Sequence, residues 1–207
     1  MNKFLYVLCT FIFLCTAFHG LTADELHEED QVSFKTYRRD YTFCRIFEFF
    51  AGAQQHGSVI KSSFHLRTHY DLYDKHGVFE AQAIYQLRPL SMLFTWAAVI
   101  NIYDLDGNYL GQIDGQAMTT ESAKFNIYNS SGERIAIAYL DENAMGFSVV
   151  SPSNSAFLLA NLKRKFVKKM PDHWDVSVFE KELIPPLFVK IFSAFVCDRQ
   201  GSFRVDN

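Results

Sequence analysis

The chain has 207 residues, of which 49% are hydrophobic and 16% aromatic, including 21 Phe. This composition can fill a sizeable core, which excludes a disordered body and is typical of a single domain behind a leader. The formal net charge of −3 at pH 7 argues against nucleic acid as a bulk electrostatic partner, although a local basic patch is compatible with it.

The N-terminus has the layout of a secretory signal peptide. Lys3 supplies one positive charge, residues 4–18 are free of acidic and basic side chains, and the small residues Ala17, Gly20 and Ala23 follow. Residues 1–20 are therefore predicted to be a signal peptide, which predicts a secreted or extracytoplasmic protein. No good small-x-small cleavage site is present, so an uncleaved N-terminal membrane anchor is the alternative.

Residues 21–40 are acidic and then polar, with few large apolar side chains, and are interpreted as a solvated lead-in. The aromatic run at residues 42–50 predicts the first strand, and residues 51–57 break it. The folded domain is thus predicted to span residues 41–207.

Strands and turns then recur every 8–12 residues or so, which is typical of an antiparallel sandwich or barrel. Residues 64–72 alternate between apolar and polar, a turn at residues 74–77 ends in Gly, and residues 78–87 return as the partner strand. Further strands are predicted at residues 92–103, 109–115, 124–128, 134–140, 146–150, 156–167 and 174–179.

The last element is predicted to be an apolar helix that starts at Pro185 and Pro186 and ends near Asp198. Only Lys190 and Ser193 are polar between residues 187 and 197. Such a helix must be surrounded by protein or lipid, yet it is shorter than the roughly 20 residues that a membrane span needs. A buried central helix is therefore expected, with a core-facing set at Leu187, Phe188, Ile191, Phe192, Phe195 and Val196. One apolar helix after about ten strands favours a closed barrel, which also removes exposed strand edges.

Several of these motifs together resemble the tubby C-terminal-like superfamily, with the closest likeness to its LURP-one-related and phospholipid scramblase branches. They are the turn that ends at Gly77, the Asp-Leu-Asp-Gly-Asn turn at residues 104–108, the Trp-containing strand at residues 173–179 and the helix ending Phe-Val-Cys-Asp at residues 195–198. The resemblance covers residues 41–198. It implies a mainly β fold, a closed antiparallel β-barrel of about twelve strands around a C-terminal hydrophobic helix.

The resemblance implies several functions rather than one. Tubby domains bind phosphoinositides, scramblases move phospholipids between leaflets, and many LURP-one-related proteins have no assigned biochemistry. A secretory leader is atypical for a superfamily found largely inside cells. The usual ligand of that superfamily, a lipid of the cytosolic leaflet, is therefore not assigned to this chain.

A cluster of cations is the main candidate for ligand binding. Cations beside an apolar residue at the end of a strand can hold the phosphate of a lipid headgroup. Strand alternation would put Lys163 and Lys165 on one side and Arg164 and Lys168 on the other. The competing interpretation is a solvated strand face kept soluble by charge. The candidate set is Lys163, Arg164, Lys165, Lys168 and Lys169.

Two other patterns have a structural and a functional interpretation. Cys44 and Cys197 would be the cysteines left after removal of the leader, and they are either a disulfide or two buried free thiols. Asp104, Asp106 and Asn108 alternate like the ligands of a calcium loop, but the glycine comes too early and the closing glutamate is missing, so a hairpin turn is predicted.

No catalytic or cofactor site is predicted. The histidines lack companions at zinc-ligand spacing, and the chain has no Gly-x-Ser-x-Gly elbow and no phosphate-binding glycine loop. The sequence therefore predicts a non-enzymatic binding module that contacts anionic phospholipid or a membrane surface. The alternatives are a secreted or envelope domain that binds an unidentified protein and a protein that translocates phospholipid.

Overall fold

Twelve antiparallel strands close into a barrel, and one helix follows the last strand, in a computed structural model that describes residues 31–62, 67–87, 97–115, 123–143, 145–165 and 173–199. The predicted fold class is thereby confirmed. The elements are β1 (Val32–Asp40), β2 (Cys44–Ala51), β3 (Gln54–Ser62), β4 (Thr68–Tyr73), β5 (Phe79–Leu87), β6 (Ala98–Asp104), β7 (Tyr109–Gly115), β8 (Lys124–Asn129), β9 (Arg134–Leu140), β10 (Gly146–Val150), β11 (Leu158–Lys165), β12 (His173–Val178) and α1 (Pro186–Arg199).

Each strand pairs with the next one along the chain, and β1 closes the barrel against β12. In this closing pair Phe34 lies opposite Val176 and Thr36 lies opposite Trp174. All four side chains are buried, so the inward faces of the first and last strands meet in the core. Closure leaves no unpaired strand edge among these twelve strands.

The helix α1 lies in the core of the barrel, as the sequence predicted. Its Phe192 ring packs edge-on against Phe125 of β8 at 5.1 Å and Phe147 of β10 at 5.2 Å, and Phe195 packs against Tyr85 of β5 at 5.8 Å. Contacts from strands all around the sheet show that the sheet surrounds the helix. Of the six residues predicted to face the core, Leu187 is only partly buried, although it still packs against the core; the other five are Phe188, Ile191, Phe192, Phe195 and Val196.

The hairpins β4–β5, β6–β7 and β8–β9 share one kind of turn. It begins with Asp74, Asp104 or Asn129, whose Oδ1 accepts hydrogen bonds from the backbone N–H groups two and four residues later. The fourth residue of each turn is a glycine with φ between 76° and 81°. The oxygens of Asp104 thus stabilise a hairpin, which confirms the predicted turn.

Gly111 lets the barrel wall approach the helix closely. A Cβ atom at this position would lie 2.1 Å from the carbonyl oxygen of Tyr128 and 3.0 Å from Cζ of Phe188, and its φ is 148°. The register between β6 and β7 shifts at Ile102, directly opposite Gly111. A β-bulge built on glycine therefore makes room for the first turn of α1.

Two boundaries predicted from the sequence are wrong. Residues 32–40 are not a solvated lead-in, because they form β1, whose Phe34 and Thr36 side chains are buried. Residues 54–57 are not a break, because β3 begins at Gln54 and a bulge at Gly57 keeps it paired with β2. The barrel therefore starts at Val32. The predicted strand residues 64–66, 92–96 and 166–167 lie outside the described residues.

The two ends of the barrel differ in charge. We call the end with the three turns and the start of α1 the acidic end, and the end with residues 41–43 and Arg199 the basic end. Among the described residues, acids outnumber bases at the acidic end, which carries Asp74, Glu80, Asp104, Asp106, Glu133, Glu180 and Glu182 against Lys75, Arg134, Lys181 and Lys190. The reverse holds at the basic end, with Lys35, Arg38, Arg39, Arg45, Lys61, Arg67, Lys124, Lys163, Arg164, Lys165 and Arg199 against Asp40, Glu48, Asp114, Asp141, Glu142, Asp175 and Asp198.

No helix within the described part of the chain is long and apolar enough to cross a membrane.

Candidate functional site

Two of the predicted lipid-headgroup cations lie on the outside of the barrel. Leu162 of β11 is buried in the core, whereas Lys163 and Lys165 are exposed. Strand alternation explains this difference, because successive side chains point to opposite sides of the sheet. Lys163 and Lys165 therefore project outward close to the basic end.

Closure of the barrel brings further cations to the same surface. Lys163 lies in register with Asp175 of β12, which in turn lies opposite Lys35 of β1. Lys35 and Arg39 are exposed and share the outward face of β1. We call the surface formed by Lys35, Arg39, Lys163 and Lys165 the basic face.

An aromatic platform lies between these cations. Tyr37 of β1 stacks on His173 of β12 with ring centroids 5.1 Å apart and an interplanar angle of 23°, and Phe50 meets Tyr37 edge-on at 5.8 Å. His173 is opposite Lys165 in the β11–β12 register. The platform fixes the spacing of the strands that carry the cations, because its rings pack across them.

Two carboxylates reduce the net positive charge of the basic face. Asp175 lies between Lys35 and Lys163 in register, and its Oδ1 is 3.5 Å from Nε2 of His173. Arg39 donates a hydrogen bond from Nε to Glu48 at 2.5 Å. Lys163 and Lys165 lie across β12 from Arg39 and Glu48, with Lys163 opposite Asp175 and Lys165 opposite His173.

The other predicted headgroup cations differ from these two. Arg164 shares the inward side of β11 with Leu162, lies opposite the fully buried Trp174, and buries its Nε atom. Alternation thus places Arg164 on the opposite side of β11 from Lys163 and Lys165, so it does not belong to the basic face, and its assignment as a headgroup ligand stays a prediction. Lys168 and Lys169 lie outside the described residues.

A buried carboxylate at the end of α1 forms the most polar part of the core. The side chain of Asp198 is only 2% exposed and accepts hydrogen bonds from Arg45 Nη1 at 2.6 Å, Lys61 Nζ at 2.6 Å and the Tyr70 hydroxyl at 2.9 Å. We call these four residues the Asp198 network. It joins the last turn of the helix to β2, β3 and β4, so it fixes the helix lengthwise inside the barrel.

The network controls the ionisation of its members. Burial by itself would raise the pKa of Asp198, but the hydrogen bond and positive charge of Lys61 and the hydrogen bonds from Arg45 and Tyr70 outweigh burial and lower it from its ordinary value. The same hydrogen bond raises the pKa of Arg45. Burial, with the nearby Asp198 charge, raises the pKa of Tyr70 well above its usual range. Asp198 is thus an anion at neutral pH, with Tyr70 as a neutral donor.

The two cysteines are free thiols. Cys197 is fully buried on α1, inside the barrel. Cys44 shares the side of β2 occupied by Ile46 and Glu48, opposite the inward Phe47 and Phe49. The two cysteines therefore lie on different sides of the sheet and form no disulfide in this structure; Cys197 is buried as the thiol interpretation expected, whereas Cys44 is only partly buried.

The basic face could be predicted only in part. Lys163 and Lys165 stand out as a run, whereas Lys35 and Arg39 joined them only because β1 closes against β12. The Asp198 network was missed, although a lone carboxylate at the end of an apolar helix was a signal for it. No group of three or more His, Cys, Asp or Glu that could hold a metal ion occurs within the described ranges.

Comparison of the sequence with protein-family models finds no matching family, and comparison with curated proteins finds no matching relative.

Proposed function

We propose that this barrel is a non-enzymatic binding module that docks its basic face on an anionic phospholipid surface. The observation that carries the proposal is the outward, exposed placement of Lys163 and Lys165 next to Lys35 and Arg39 on a face that extends to the basic end. The resemblance to lipid-binding tubby-like domains supports the same ligand class. Phospholipid translocation is a different activity, and a protein can bind anionic phospholipid without translocating it.

The charge difference between the two ends supports a defined orientation. An anionic surface attracts the basic end and repels the acidic end, where Asp104, Asp106 and Glu133 stand on exposed turns. Each lysine near an anionic bilayer contributes about 1 kcal/mol to binding. The attraction depends on salt, since the Debye length shortens from about 10 Å at 0.1 M to about 3 Å at 1 M.

Reversing the two lysines tests the proposal. The variant with Lys163→Glu and Lys165→Glu should bind phosphatidylserine-containing vesicles at least about 30-fold more weakly, since two contributions of about 1 kcal/mol are lost. Flotation of vesicles made of phosphatidylcholine, alone or mixed with phosphatidylserine, measures the partition coefficient. The matched control is Lys75→Glu with Arg134→Glu, which makes the same charge change on exposed residues of the acidic end.

Three results would count against this proposal. They are equal binding to neutral and anionic vesicles, equal loss in both double variants, and no loss in the Lys163 and Lys165 variant. A matching loss in both variants would show that overall charge, and not the basic face, governs binding.

The second candidate function is a secreted or envelope domain that binds another protein through the acidic end. Val78 and Leu105 are 57% and 63% exposed there, on neighbouring turns. If this function is right, Leu105→Lys should abolish cross-linking to a stoichiometric protein partner while Lys163→Glu leaves it intact. Capture that survives Leu105→Lys would contradict it.

The side of the membrane follows from the predicted signal peptide, which lies outside the described residues. We propose an extracytoplasmic location, with the uncleaved anchor as the alternative. The mass of the mature N terminus distinguishes the two, because cleavage removes the first residues of the chain.

A further inference from the structure

Two large aromatic side chains project from the basic end on the connection between β1 and β2. Tyr41 is 55% exposed and Phe43 is 61% exposed. The connection has only three residues, and the backbone N–H of Tyr41 donates to the carbonyl of Cys44 at 2.9 Å. A short, hydrogen-bonded turn therefore holds both rings in an exposed position. We call residues 41–43 the aromatic tip.

Arginines surround the base of the aromatic tip. Arg45 Nε lies 3.1 Å and Arg38 Nε lies 2.9 Å from the carboxylate of Asp40. Arg39, the next residue after Arg38, is on the outward side of β1. Arg45 also pairs with Asp198, which Lys61 shares. Four cations therefore face three carboxylates, and the collar retains one net positive charge; they are Arg38, Arg39, Arg45 and Lys61 against Asp40, Glu48 and Asp198. Exposed aromatic rings in front of a cationic collar match the bilayer interface, where amphipathic rings lie at headgroup depth and cations meet phosphates.

The aromatic tip and the basic face can meet one surface together. Tyr37 is in register with His173, and His173 with Lys165, so Arg39 lies two strands across and two residues beyond Lys165. With strands about 4.8 Å apart and about 3.4 Å per residue, these Cα positions are about 12 Å apart. A planar bilayer is large enough to contact both at once.

We propose that the aromatic tip inserts Tyr41 and Phe43 into the interfacial layer of an anionic bilayer, while the basic face holds the lipid headgroups. This inference rests on the proposed function and adds the orientation and depth of docking. The exposed apolar side chains of the acidic end do not compete for this role, because Val78 and Leu105 lie on turns that carry Asp74, Asp104 and Asp106. An anionic surface repels those turns.

A tryptophan placed in the aromatic tip reports insertion directly. Tyr41→Trp should shift its emission to the blue and be quenched by phosphatidylcholine–phosphatidylserine vesicles whose acyl chains are brominated near the headgroup. The matched control is Leu105→Trp, at an equally exposed turn of the acidic end, which should stay unquenched. The native chain, which contains Trp96 and the fully buried Trp174, supplies the background.

Replacing both rings with alanine measures how much they contribute to the free energy of membrane binding. Tyr41→Ala with Phe43→Ala should weaken binding to anionic vesicles about tenfold or more, because apolar area no longer leaves water on binding. The loss should persist at high salt, where the contribution of the lysines is screened. The substitutions are on the surface, so an unchanged Tm confirms that the fold is retained.

The outcomes separate this inference from the proposed function. If the chain floats with anionic vesicles but Tyr41→Trp is unquenched, or is quenched no more than Leu105→Trp, insertion is wrong and electrostatic docking stands. If the native chain does not float with anionic vesicles at all, both are wrong. A protein cross-linked through the aromatic tip in place of lipid quenching would likewise overturn insertion.

Discussion

Replacing Phe192 with alanine should lower the free energy of unfolding by about 3–5 kcal/mol, since the change removes a large ring from a core that cannot collapse around it. Phe192 is fully buried, and its ring packs edge-on against Phe125 and Phe147 at 5.1 and 5.2 Å. A closed sheet around the helix restricts inward relaxation, so the cavity should persist. Urea denaturation followed by far-UV circular dichroism measures the loss.

Two controls make this result specific to the helix core. Phe192→Leu keeps most of the apolar volume and should cost clearly less than Phe192→Ala. Leu105→Ala, at a side chain that is 63% exposed, should stay within about 0.5 kcal/mol of the native chain. A loss for Phe192→Ala as small as that of Leu105→Ala would mean that α1 does not lie inside the barrel.

The central helix could be predicted because its signal is local. Apolar residues on all sides of residues 187–197 need surroundings of protein, and a chain otherwise made of strands offers only a sheet to supply them. The hairpin turns were predictable for the same reason, because Asp74 and Gly77 or Asp104 and Gly107 act within a few residues of each other.

The strands β1 and β3 were missed because their apolar content is small and only one side of each faces the core. In β1 the buried positions are Phe34 and Thr36, and Thr36 is polar; its hydroxyl lies 3.0 Å from that of Ser193 on α1. Periodicity cannot show that a threonine is buried when its hydrogen-bond partner is more than a hundred residues away. The start of the barrel therefore depends on contacts that no local pattern contains.

The basic face shows the same limit. Alternation predicted that Lys163 and Lys165 share one side of β11 and that Arg164 lies on the other, but which side faces outward follows only from the placement of Leu162 in the core. Lys35 joins them through the pairing of the first strand with the last. Closure of the barrel thus decides the composition of the surface, although each strand decides which of its own side chains face outward.

Replacing Asp198 with alanine should cost about 3 kcal/mol of unfolding free energy. That value is at the lower end of the range for breaking a buried ion pair, because Arg45 and Lys61 keep some contact with water once the carboxylate is gone. Asp198 is the shared acceptor of both cations and of the Tyr70 hydroxyl, so its loss leaves three donors without this partner. Urea denaturation at neutral pH measures the cost, and Asp198→Asn separates charge from shape.

The same network predicts how stability depends on pH. The pKa of Asp198 is lower in the folded chain than its ordinary value, so its contribution is fully present above the ordinary carboxyl pKa of about 3.9 and is lost as the pH falls through the lowered value. The stability difference between the native chain and Asp198→Asn should therefore be largest at neutral pH and shrink in acid. Lys61→Met should reduce that difference, because the lysine supplies part of the attraction. A difference that stays constant from neutral pH into acid would show that the charge of Asp198 does not hold the end of α1 in place.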